Sequence, residues 1–220
     1  MCAALETIYA GIISDVLHQD LSLPNQSFAA FDKYTRGISG FNATCGPAFT
    51  TRGRDVIDSM STEDLKEWDK MRVTMLDRFP QGGIQVLQSN WKKNVAHYGD
   101  ITARTIKQAG GKGAIVDGFT RDWDALDLMK FSLMTHGMHP KDSIGTWTLT
   151  DHSQPIVIYG VEIKPLDIVH MSPDGVVVIP SDLLEKVTAL AHDRFHRENH
   201  IKKLLATKSP IEVYESEGRW

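Results

Sequence analysis

Apolar positions along this chain fall into blocks with different periods, and the blocks predict a mixture of helices and strands. Runs such as IVIYG at 156–160 and VVVIP at 176–180 are continuously apolar, the pattern of strands covered on both faces. Longer segments mix charged and apolar residues at helical spacing. The resulting order is a helix over 4–18, a strand over 46–51, and a helix opened by Ser61-Thr62-Glu63-Asp64, which supplies hydroxyl caps and early acids. A strand over 83–88 follows, then a central helix over 100–109 and a strand over 113–117. Asp100 suits the helix N-cap, and Gly110-Gly111 suits its exit. A short helix over 122–130 comes next, with strands at 131–135, 155–159, 167–171 and 176–179. A long helix over 181–206 closes the order. Neither an internal repeat nor a low-complexity stretch interrupts it.

The central helix and strand carry the most informative chemistry. Ten helical residues rise roughly 15 Å, and five strand residues return about the same distance. Arg121 and Asp122, on a turn expected at Gly118, therefore come back beside Asp100. Helix N-termini attract anions. One carboxylate can bind a hard cation such as Mg²⁺ while the second holds one of its waters, because Mg²⁺ keeps several waters and takes few protein carboxylates. Arg121 can take a substrate carboxylate with its planar fork. The same spacing also fits an Arg–Asp surface pair beside a capping Asp, an arrangement worth little energy.

The run GGKGAIVDGFTRD, preceded by Gly99-Asp100, resembles the signature of RraA-like proteins, whose enzymes are the 4-hydroxy-4-methyl-2-oxoglutarate and 4-carboxy-4-hydroxy-2-oxoadipate aldolases. The metal motif of that family is Asp, twenty residues, then Arg-Asp, and Asp100 to Arg121-Asp122 has this spacing. ISDVL at 13–17, CGPAFTTR at 45–52 and VEIKPLDIVHMSPDGVVVIP at 161–180 extend the resemblance along the chain. Leu166 stands where the family usually has Gly, Ser172 where it has Asp, and Gln88-Ser89-Asn90 where it often has an acidic turn.

The resemblance implies an α/β swivelling β/β/α fold in a single domain over 1–220, assembled as a homotrimer or a dimer of trimers. It implies a metal-dependent class II lyase that releases pyruvate from a 4-hydroxy-2-oxo acid, with oxaloacetate decarboxylation as a related activity. Asp122 would ligate Mg²⁺ or Mn²⁺, Asp100 would act through a water on the metal, and Arg121 would bind the pyruvyl unit. The backbone of Gly99, Asp100, Ile101 and Thr102 would cradle the substrate carboxylate. An acidic group from a neighbouring subunit also takes part in the family, with Glu185 and Glu198 as candidates here. The alternative is a non-catalytic regulator of ribonuclease activity that acts by protein contact.

Charge and composition narrow the partners. A formal net charge of −4 and a pI near 6.1 give no general reason to bind nucleic acid, and the short pairs Lys92-Lys93 and Lys202-Lys203 read as solvated faces. No apolar run approaches the roughly 20 residues that span a bilayer, and the N-terminus lacks a secretory pattern, so a cytosolic protein is expected. With only Cys2 and Cys45, a disulfide-free chain is expected, Cys45 serving as a small buried hydrophobe. His192, His196 and His200 recur every four residues, but charged neighbours favour a solvated helical face over a metal site. GGKG at 110–113 is neither a dinucleotide fingerprint nor a phosphate loop. Trp91 and Trp123 are expected to serve in core or interface packing.

Overall fold

A computed structural model describes residues 1–31, 43–56, 61–90 and 94–218. Among them, strands β1 (Ser27–Ala29), β2 (Thr44–Asp55), β3 (Ile84–Gln88), β4 (Ala96–Tyr98), β5 (Gly113–Thr120), β6 (Ser132–Met138), β7 (Trp147–His152), β10 (Ile168–Ser172) and β11 (Gly175–Ile179) form one mixed sheet. Strands β8 (Ile156–Ile158) and β9 (Val161–Ile163) form a separate hairpin. The helices are α1 (Cys2–Leu5), α2 (Ala10–Asp15), α3 (Thr62–Thr74), α4 (Asp100–Gln108), α5 (Trp123–Leu128), α6 (Leu184–Leu205) and α7 (Pro210–Glu217). The α/β fold expected from the sequence is the fold of the structure.

Strand β2 joins the two halves. Its first residues pair antiparallel with β10, its middle pairs parallel with β3, and its end pairs antiparallel with β7. Alternation along each strand then sorts side chains into layers. Ile84 and Val86 of β3 enter a core shared with the β8–β9 hairpin and with Val169, Val176 and Val178. Leu87, Ala114 and Val116 face the other way, onto α3, α4 and α5. The outer face of β10–β11 is covered by α1, α2 and α6.

Several boundaries differ from expectation for identifiable reasons. The first helix is split, because the chain turns at 6–9 before α2 begins and α2 ends in a π-helical turn over Val16–Asp20. IVIYG does alternate, since Val157 is exposed between buried Ile156 and Ile158 on a surface hairpin, whereas every residue of β11 is buried. The short strands β1, β4 and β9 carry too few residues to display a period, and β7 and α7 were likewise not foreseen. Ser61 caps α3 in a reciprocal capping box with Asp64, as its spacing predicts. Lys92-Lys93 and Trp91 lie outside the described residues. Trp123 packs at the edge of the α-side core. Both cysteines are free, and Cys45 is buried.

Candidate active site

The chain brings Asp100 and Arg121-Asp122 together because β4 and β5 are parallel neighbours that end at the same edge. Tyr98 is in register with Thr120, and the Arg121 N–H donates to the Tyr98 carbonyl at 3.0 Å. Gly99-Asp100 follows one strand and Arg121-Asp122 follows the other, so both pairs emerge side by side. Clefts outside the carboxyl ends of parallel strands are the usual ligand sites of α/β sheets. The expected turn at Gly118 does not form. Gly118 lies within β5, which runs to Thr120, and the chain turns at Asp122, whose φ of 60° and ψ of 38° are left-handed.

Capping of α4 also differs from expectation. Its N-cap is Gly99, in extended conformation, and Asp100 is the first helical residue. The cap comes from across the sheet edge: Asp122 Oδ2 accepts from the Asp100 N–H at 3.3 Å. Only glycine at 99 leaves room for this, since a Cβ there would lie 2.6 Å from Asp122 Oδ2. Arg121 then bridges two acids, with Nε 3.5 Å from Asp122 Oδ2 and Nη1 3.5 Å from Asp142 Oδ2. Asp100 pairs with Arg104 one turn along the helix at 3.1 Å. Asp100, Asp122 and Asp142 thus face the guanidiniums of Arg104 and Arg121, which leaves one carboxylate charge without a cation among these groups.

Asp142 was not foreseen in the sequence. It reaches the site because the loop after β6 bridges to Ala96, with the Ala96 N–H donating to the Lys141 carbonyl at 2.7 Å. Asp142 Oδ1 accepts from the Ile144 N–H at 3.1 Å, which fixes the loop. Nothing local in the sequence signals that contact.

A cleft of about 430 Å³ opens from this rim, bounded by Gly99 to Thr102, Arg121, Asp122 and Asp142 at its mouth. Its inner wall is formed by Gln85 and Leu87 of β3, Trp147 and Leu149 of β7, and Trp68 and Met75 from α3 and the turn after it. Tyr98 also lines it and is almost wholly buried, and burial pushes its phenol far above the usual range, so the hydroxyl stays protonated. Glu185 and Glu198 lie on α6 and do not line this cleft; Glu198 pairs with Lys202 at 3.5 Å. The rings of His192 and His196 on α6 lie 6.1 Å apart and tilted by 32°, and among the described residues no group of three or more His, Cys, Asp or Glu side chains is arranged to hold a metal.

A family model described as RraA-like, aldolase/RraA, matches residues 13–178. The chain belongs to the RraA-like family. Protein DlpA of Legionella pneumophila is 26% identical over 137 residues, covering 62% of this chain but only 22% of that longer protein. A Bacillus cereus protein whose name proposes a 4-hydroxy-4-methyl-2-oxoglutarate aldolase is 29% identical over 124 residues, covering 56% of this chain and 77% of the relative. The solved structure of Streptomyces coelicolor RraAS2, titled an unusual member of the RNase ES inhibitor RraA family, superposes with a TM-score of 0.75 at 23% identity. That match covers 91% of this chain and 94% of the other. The RraA-like family thus includes both aldolase-named and inhibitor-named proteins. Among the described residues no helix is long and apolar enough to cross a membrane.

Proposed function

We propose that the cleft cleaves a 4-hydroxy-2-oxo acid to pyruvate and a second carbonyl compound with the help of a divalent cation. The observation that carries this reading is the convergence of Arg121, Asp122 and the N-terminus of α4 at one sheet edge. The donor set suits Mg²⁺ or Mn²⁺: both contacts of Asp122 fall on Oδ2 and leave Oδ1 for the cation, Asp100 can hold a water, and hard cations accept such sparse carboxylate sets. When bound, the cation would supply Lewis-acid polarisation of the 2-oxo group. The residues of the chain do the rest. Arg121 holds the 1-carboxylate and sets fixed positive charge where the enolate oxygen develops. The N–H groups of Ile101 and Thr102, in the first turn of α4, have no intrahelical acceptor and face an anion favourably. Asp100 orients the water that takes the proton from the 4-hydroxyl as the C3–C4 bond breaks, and the proton returns to C3 of the departing pyruvate.

The test is pyruvate release from a panel of 4-hydroxy-2-oxo acids and from oxaloacetate, which loses carbon dioxide through the same enolate. Activity abolished by EDTA and restored by Mn²⁺, together with a drop of about 10² to 10³ in kcat for Arg121→Ala, is the expected outcome. Asp122→Ala should abolish the response to metal. Full turnover in rigorously metal-free protein overturns the mechanism.

The inhibitor-named neighbour favours a second reading, in which the protein contacts a ribonuclease and regulates it. A ribonuclease complex that is indifferent to Arg121→Ala and Asp122→Ala, in a protein that releases no pyruvate, would favour that reading.

A further inference from the structure

Arg121 serves two acids, and they differ in what else holds them. Asp122 follows it in the chain and uses one oxygen, Oδ2, both for Arg121 Nε at 3.5 Å and for the Asp100 N–H at 3.3 Å. Asp142 comes from the loop between β6 and β7. Its Oδ2 lies 3.5 Å from Arg121 Nη1, and its Oδ1 accepts from the Ile144 N–H at 3.1 Å. That loop is tied on both sides of Asp142. The Ala96 N–H donates to the Lys141 carbonyl at 2.7 Å, and the Ser143 carbonyl accepts from the Thr146 and Trp147 N–H groups at 2.9 Å each. The Asp142 carboxylate is therefore held by its own loop, whereas the guanidinium it meets rides on a long side chain with many rotamers.

Stability does not account for this acid. The side chains of Arg121 and Asp142 are 39% and 44% exposed, and ion pairs this open to solvent add little to folding. What the contact changes is direction. Asp122 is next to Arg121 in the chain, so without a second acid the guanidinium would close on Asp122 alone and neutralise the carboxylate best placed for a cation. Asp142 draws Nη1 the other way, and Nη2 has no acidic partner among the described residues. Asp100 is no substitute, since it pairs with Arg104 at 3.1 Å.

Building on the proposed lyase reading, we infer that Asp142 is a positioning residue for Arg121: it holds Nη1 against the pull of Asp122, so that Asp122 Oδ1 keeps its charge for the divalent cation and Nη2 is left for the 1-carboxylate of the 2-oxo acid. Asp142 acts through Arg121 and touches neither cation nor substrate.

Asp142→Asn tests this, because asparagine keeps the side-chain shape and the acceptor for the Ile144 N–H and removes only the charge. Mn²⁺ binding, read by calorimetry without substrate, should weaken about fivefold in Asp142→Asn. The same change made in Arg121→Ala should cost less than about twofold, the non-additivity of two residues that work as a unit. The kcat for pyruvate release should fall about tenfold in Asp142→Asn, with the melting temperature near that of the parent. An Asp142→Asn protein that matches the parent in Mn²⁺ affinity and kcat reduces the acid to a loop former and overturns the inference. An equal loss of Mn²⁺ affinity with and without Arg121 also overturns it, since Asp142 would then act on the cation directly. If no 2-oxo acid is cleaved while the Mn²⁺ coupling holds, the lyase reading falls and the positioning role stands. If pyruvate is released equally by the parent and Asp142→Asn, the positioning role falls and the lyase stands. A parent protein that takes up no Mn²⁺ overturns both.

Discussion

Leu166 explains itself through its backbone. Its φ is +69°, a region that costs a side chain about 1–2 kcal/mol, and the family usually has Gly at this place. The turn is held by the Leu166 N–H donating to the Ala48 carbonyl at 3.0 Å, while the side chain is exposed. Leu166→Gly should therefore raise stability by about 0.5–1 kcal/mol, after the entropic cost of glycine, measured by urea unfolding. Ser172, another departure, accepts from the Asp174 N–H at 3.3 Å and so forms the tight turn between β10 and β11 without a carboxylate.

Elements meet at the site through Gly99, where β4 hands over to α4 and the carboxylate of Asp122 comes within reach of the helix N-terminus. Gly99→Ala sets a methyl group 2.6 Å from Asp122 Oδ2, and the carboxylate must move off the Asp100 N–H. Pyruvate release should fall by about tenfold or more while the melting temperature changes little, because the 99–102 segment is at the rim and a misplaced catalytic group is costly. A variant with full activity would dissociate the Asp122 cap from function. The boundary from β5 to α5 works in the same way. The left-handed turn at Asp122 is tolerable for an Asp, and it is what aims Arg121 between Asp122 and Asp142.

For the whole molecule, His170 ties the helical layer to the sheet. It lies fully buried on β10, and its Nε2 is 3.2 Å from the Leu5 carbonyl of α1. Burial lowers its pKa below the usual 6.5, so the native state holds a neutral ring and the unfolded state takes up the proton first. Its contribution to stability is complete above about pH 6.5 and is lost as pH falls through the lowered native value. Chemical unfolding at pH 7.5 and 5.5 should show a loss at the acid end that is smaller in His170→Gln, since glutamine keeps a donor for Leu5 but does not titrate. An equal loss in both proteins would place the acid sensitivity elsewhere.

The parts of this protein legible in its sequence are those fixed by short-range physics. The capping box at Ser61 and Asp64, the glycine exit of α4 and the unbroken apolar run of β11 depend on residues within a few positions of one another. The spacing from Asp100 to Arg121-Asp122 also belonged to a single helix-strand unit, so its convergence was readable, although the reason given by the structure is the pairing of β4 with β5. That pairing was invisible because three residues display no period. Asp142's contact with Arg121, the capping of α4 by Asp122, and the presence of Gln85 and Trp147 in one cleft lining each join residues that the chain separates by twenty or more positions. Such contacts are decided by which strands lie side by side and where a glycine lets backbone and carboxylate approach, and only the folded sheet sets both.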